Sequence, residues 1–237
     1  MSFNLYREFH GADMPFTVEQ FLTVFSEYNQ AIWPAQILAY ILGCLAVVLC
    51  WKGIGLSSRF VAAILGLMWV WNGVAYHMVF FSKINPAAYA FGVLFLLGGI
   101  MFFRSGVLRP VLTFRFRSDV YGITGLVFVI YAMFLYPLLG MMLGHGYPRS
   151  PVFGVAPCPT TIFTFGVLLW SSSGMPIKVV IAPLLWTTVG TAAAVNLGMK
   201  EDLGLLVAGL VSMVMIVLRK REKSEVSLRG REHDRQF

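Results

Sequence analysis

Charge is what this chain has least of. Only 12% of its 237 residues are charged, where a soluble domain carries roughly 25%. So few charges cannot cover a water-facing surface, and lipid must replace water over most of it. Cysteine is also scarce. Cys44, Cys50 and Cys158 are odd in number and irregular in spacing, which excludes a disulfide framework. Cys44 and Cys50 fall in one apolar run and read as small buried hydrophobes. No glycine-rich phosphate loop, G-x-S-x-G elbow or HExxH motif is present. Acids are missing from mid-span positions, which argues against a proton-coupled pump. The first thirty residues lack a continuous apolar core, so the first span is expected to act as the targeting signal. The formal charge of +7 does not indicate nucleic acid, because the basic residues sit in short loops and one tail.

What the chain has in quantity is apolar runs, at 58% hydrophobic residues. A spanning helix needs about 20 apolar residues to cross ~30 Å of hydrocarbon. Segments 32–51, 61–81, 84–103, 120–143, 177–195 and 203–218 fit, the last being short and ending at Arg219. A seventh candidate, 160–170, is too short by itself. The expected organisation is an outer segment at 1–31, a seven-span membrane domain at 32–218 and a basic tail at 219–237.

Direction follows from the basic residues. With the N-terminus outside, Lys52, Arg59, Arg104, Arg109, Arg115, Arg117, Lys178 and the tail face the cytoplasm. Only Arg7, Lys83, Arg149 and Lys200 face out. The positive-inside rule favours that orientation. An even span count would put the tail and the 104–117 loop on opposite sides, so an odd count is consistent. The ring-and-charge run at 114–117 and the tail read as anchors to anionic lipid.

Two outer segments stand out. Within 15–30, Thr17 followed by Gln20 forms a capping-box pattern. Val18, Phe21, Leu22, Phe25 and Tyr28 share one helical face, and Glu19, Thr23, Ser26, Glu27 and Gln30 share the other. This predicts an amphipathic helix, in the first place a surface anchor and in the second a lid over the bundle. Segment 144–161, GHGYPRSPVFGVAPCPTT, is too rich in proline and glycine to be helical. The apolar run after it holds about a dozen residues, or roughly 18 Å of helix. Part of 152–159 is therefore expected to dip into the bilayer, where irregular backbone survives only if protein or a water-filled cavity shelters it.

Candidate site residues gather at the outer end. Proline on both sides of Cys158 predicts that it caps a helix, with Thr160 and Thr161 in the first turn. A thiol there would feel the helix dipole, and the helix end would suit an anion or polar headgroup. Its plain alternative is a small apolar cap in a packed loop. Asn72, Tyr76 and His77 lie inside the second span, and His145 follows the fourth. Polar groups at such depth face a bundle interior, although an interhelical hydrogen bond is the more common role of a lone histidine there than ligand binding. Glu27 and Tyr147 complete the candidates. Glu201 and Asp202 open the last span, where carboxylates ordinarily cap a helix. His77, His145 and Cys158 are weak candidates for a zinc or copper site, since no tight ligand spacing supports one. Gly190, Ala194 and Gly198, with Gly98 and Gly99, indicate closely packed helices.

Four stretches, MPFTVEQFLTVFSEYNQAIWPAQ at 14–36, YHMVFFSKINPAAYAFG at 76–92, LGHGYPRSPVFGVAPCPTTIFTFG at 143–166 and EDLGLLVAGLV at 201–211, resemble an uncharacterised family of bacterial multi-pass membrane proteins, a domain of unknown function. The resemblance runs to Leu218. It implies a bacterial inner-membrane protein of one domain, and carries no activity, cofactor or site residues. The fold expected is an all-α polytopic bundle of about seven spans, with an N-terminal amphipathic interfacial helix and a re-entrant outer loop. The function expected is an outward-facing cavity for a small solute or ion. The rivals are a membrane enzyme using Cys158 or the histidines, and an accessory subunit of a membrane complex. The partners expected are the lipid bilayer and either a second copy or a membrane protein; no cofactor is indicated.

Overall fold

The computed structural model describes residues 15–53, 56–171 and 175–233, with side chains as far as Arg221. Arg7, Glu8, Asp13, the 172–174 part of the serine-glycine turn and the side chains of the distal tail lie outside the described residues. The described chain is all-α; its only extended pairing is an isolated bridge between Phe114 and Ser171.

Among the described residues nine α-helices follow in order: α1 Val18–Ala31, α2 Ala35–Lys52, α3 Ser57–Trp71, α4 Ala88–Phe102, α5 Val120–Ile130, α6 Tyr136–Met142, α7 Pro157–Leu169, α8 Lys178–Leu197 and α9 Leu203–His233. Wide π turns extend α3 through Asn72–Phe80, extend α4 through Phe103–Leu108, and join α5 to α6 at Tyr131–Leu135. Among the described residues, six continuous helical stretches are long and apolar enough to cross a membrane, and α7 is a shorter apolar helix of 13 residues.

The helix α2 turns its small residues inward and its large ones outward. On α2, Ala39, Gly43, Ala46 and Cys50 form the buried stripe, while Ile37, Leu38, Ile41, Leu45 and Val48 are exposed. Such an arrangement suits lipid, which solvates large aliphatic chains and leaves close packing to small ones. Cys44 belongs to the exposed stripe, which corrects the reading of it as a buried hydrophobe; only Cys50 is enclosed.

Both ends of the bundle are recognisable. At one, Arg115 N–H donates to the Trp170 carbonyl at 2.8 Å and Phe116 N–H to the Cys50 carbonyl at 3.0 Å. Arg219 donates to the Leu169 carbonyl at 3.2 Å and lies over the Tyr121 ring. The 111–117 segment thus closes over the ends of α2 and α7 with its basic residues. At the other end lie α1, the 143–156 segment and the α8–α9 turn.

The capping box forms as the sequence predicts: Thr17 Oγ1 accepts from Gln20 N–H, and Gln20 Oε1 accepts from Thr17 N–H. The apolar face of α1 rests on protein. Phe25 stacks on Tyr76 at 4.9 Å between centroids. Tyr28 O–H donates to the Val155 carbonyl at 2.7 Å and accepts from Trp71 Nε1 at 2.8 Å. Asn29 Nδ2 donates to the carbonyls of Pro148 and Ser150. With this face already packed, α1 is folded over the bundle instead of offering its apolar side to lipid as an anchor. Burial of the Tyr28 phenol, from which Trp71 withdraws only part of the effect, pushes its pKa well up.

The irregular stretch enters the protein. Residues 150–157 are all buried. The Phe153 ring packs on Tyr40 and Phe163, at 5.2 and 4.8 Å between centroids. A Cβ on Gly43 would lie only 2.7 Å from Phe153 Cζ, so a bare glycine makes room for the ring. Asn72 Nδ2 holds the loop tip by donating to the Gly154 carbonyl at 3.2 Å.

Candidate functional site

The turn between α8 and α9 sets two acids inward. Gly198 ends α8 in the left-handed region with φ 70°, a conformation glycine adopts without cost. The chain then makes a 3₁₀ turn over Lys200–Asp202 before α9 begins. Glu201 and Asp202 are only 1% and 3% exposed, so both carboxyls at this helix start are enclosed by protein. Tyr131 O–H pins the turn through the Glu201 carbonyl at 2.7 Å.

Each carboxyl has its own partners. His145 Nε2 meets Glu201 Oε1 at 2.6 Å, and the other oxygen, Oε2, is buried without a partner. Tyr136 O–H donates a short hydrogen bond to Asp202 Oδ1. The Cys158 thiol also lies within hydrogen-bonding reach of Asp202. Residues 136, 145, 158, 201 and 202 come from four separate segments, and no local spacing links them.

Cys158 does not occupy the position predicted for it. Ala156, with φ −113° and ψ 145°, is the residue that caps α7, and Cys158 lies inside the first turn. Proline is tolerated there because the first turn contains no preceding helical carbonyl for the ring to strike. The expectation of an anion site at Thr160 and Thr161 also loses its basis. Prolines at 157 and 159 remove two amide donors from the turn. The Thr160 and Thr161 hydroxyls donate back to the carbonyls of Ala156 and Pro157 at 2.6 and 2.8 Å.

Asp202 and Cys158 open onto a cavity of about 500 Å³. Phe21 and Phe25 of α1 roof it, and Tyr76, Phe81, Phe91 and Trp186 wall it. The last turns of α8 from Val189 to Leu197 close another side. Among the described lining residues, Asp202 alone has an acidic or basic side chain. Trp186 is 6% exposed, and its buried Nε1 has no hydrogen-bond partner. That nitrogen would lie 3.2 Å from a Cβ on Gly190, itself a lining residue.

The other candidates take different places. Tyr76 lines the cavity. His77 is fully buried outside the lining, boxed in by Phe91, Phe95 and Trp186, with neither ring nitrogen partnered. Asn72 serves the loop tip. Glu27 is exposed and pairs with Lys83 at 3.7 Å, and Tyr147 is exposed. Among the described residues, no group of three His, Cys, Asp or Glu could hold a metal ion. His77 faces rings, His145 faces Glu201 and Cys158 faces Asp202, so each weak metal candidate is directed elsewhere. Sequence reasoning passed over Asp202, Tyr136 and Trp186 as site residues. The available signal is a pair of adjacent acids at the same end of the spans as His145.

A family model described as a family of unknown function, DUF6064, matches residues 18–227. Neither a curated protein nor a solved structure matches the chain.

Proposed function

We propose that this chain, which belongs to the family of unknown function DUF6064, binds a small amphipathic molecule in the cavity beneath α1, in the outer half of the bacterial inner membrane. The observation that carries the reading is a roofed space of about 500 Å³ with aromatic walls and one charged end. Ligand sites are typically apolar hollows of this order, about 300–1,000 Å³, with a few polar groups that fix orientation. The N-terminus and the cavity lie on the outer side, and the basic end with α9 faces the cytoplasm.

The buried loop supports the depth of the site. Phe153 meets Gly43, eight residues into the 18-residue α2, or about 12 Å along it. Irregular backbone so far from a helix end fits a segment that enters the bilayer and is sheltered by protein. Binding, alone or as a step in transport, fits better than cysteine catalysis. A nucleophilic thiolate is stabilised by a neighbouring cation or imidazolium, and the neighbours of Cys158 are a carboxyl, an indole and phenols.

Photolabelling tests this in liposomes. An alkyl diazirine should label Tyr76, Trp186 and the 189–197 segment, and Ala193→Trp, which fills the cavity, should abolish that labelling. Labelling confined to lipid-facing Ile37 and Ile41 would overturn the reading.

A further inference from the structure

We infer that the cavity ligand carries an organic ammonium group, held by Asp202 and the surrounding rings. The inference rests on the proposed binding function and names its substrate class.

Charge balance is the first argument. The four ion pairs among the described residues join Lys83 to Glu27, Arg117 to Asp119, His145 to Glu201 and Arg149 to Glu19. None reaches Asp202. The one imidazole close to the two acids is engaged by Glu201. Asp202 otherwise has neutral donors, the Tyr136 phenol and the Cys158 thiol. It also faces the start of α7, which offers the partial positive charge of a helix end. A buried carboxylate is stable when paired with a full charge, and the cavity is the open side from which one can arrive.

The walls are the second argument. Seven aromatic rings line the space. Ring faces attract a cation, most strongly when the contact is desolvated, and they suit alkylated ammonium groups, which shed water easily. An inorganic ion would leave most of this apolar lining unused. An anionic group would have to approach a carboxylate.

The indole of Trp186 is the third. Its Nε1, close to the Cys158 thiol, is buried beside the cavity without a hydrogen-bond partner. An unpaired buried donor is costly. It is satisfied if the ligand also bears an acceptor, such as an ether, ester or phosphate oxygen near the ammonium. An aminolipid headgroup and a soluble amine both provide this chemistry.

The test uses two molecules of one shape, phenyltrimethylammonium and its neutral isostere tert-butylbenzene. Each competes with diazirine labelling of the cavity in phosphatidylglycerol liposomes, compared at equal membrane concentration. The cation should be effective at roughly tenfold lower concentration or less, and Asp202→Asn should remove the preference. Equal competition by the two would overturn the ammonium assignment and leave an apolar cavity intact. Absence of cavity labelling would defeat the binding function itself. The wild-type comparison needs no variant, so a poorly folding Asp202→Asn leaves the test decisive. Adding phosphatidylethanolamine separates the sources: loss of phenyltrimethylammonium binding assigns the group to a lipid headgroup, and unchanged binding assigns it to a soluble molecule. Both results support an ammonium ligand.

Discussion

Buried charge governs the chemistry at the scale of single residues. The Glu201 side chain is 0% exposed and that of His145 12%. One Glu201 oxygen already lacks a partner, so the 2.6 Å contact to His145 is what holds this side chain. Removing one member of a buried pair strands the other and costs about 3–5 kcal/mol. His145→Ala is therefore expected to lower the unfolding temperature of the detergent-solubilised protein sharply. Adding Glu201→Gln to that variant removes the stranded charge and should recover part of the loss. A temperature for His145→Ala close to wild type would show that the pair lies in water. The sequence places His145 and the two acids at one end, but a carboxylate opening a helix looks the same whether it caps in water or turns inward. Only the packing of Tyr131, Tyr136 and α7 decides between these. Asn72 shows the opposite case: its burial follows from span depth, whereas its role in holding Gly154 depends on a contact between residues far apart in the chain.

Helix contact is set by backbone approach at the scale of elements. The α5–α7 crossing brings Gly125 and Gly166 together, and a Cβ on Gly166 would lie 2.6 Å from the Gly125 carbonyl oxygen and 3.2 Å from Val129 N. Those atoms are main chain and cannot rotate away. Gly166→Ala must then force the helices apart, at about 1–3 kcal/mol for an overpacked core. Gly146→Ala is the control, since its Cβ would meet nothing closer than 3.6 Å. Denaturation in mixed micelles should separate the two; equal stability would mean that the crossing is looser than described. The helices themselves are legible from apolar run length, and the start of α1 from Thr17 and Gln20. The start of α7 is less so, because two prolines fit equally a loop, a cap or a first turn. Which of these forms is settled by the burial of residues 150–157.

Topology can be argued from charge at the scale of the whole molecule, and it is open to direct measurement. Lys52, Arg115, Arg117 and Arg219 belong to the end where the 111–117 segment covers α2 and α7. Lys83 and Arg149 lie at the opposite end and are paired with Glu27 and Glu19 of α1. The rule counts lysines and arginines near the span ends and not net charge, so these two cations stay in the count for their end, and the orientation follows from the larger number at the other. With α7 counted, seven crossings put the two termini on opposite sides of the membrane. Tyr147→Cys, at an exposed position, and Arg221→Cys, beyond the last apolar turn, test this in a background lacking Cys44, Cys50 and Cys158. A membrane-impermeant maleimide applied to intact spheroplasts should label the first at once and the second only after permeabilisation. Immediate labelling of both would mean an even number of crossings, so that α7 does not complete a passage. The reverse pattern would invert the protein and turn the cavity toward the cytoplasm, where its ligand would have to be sought.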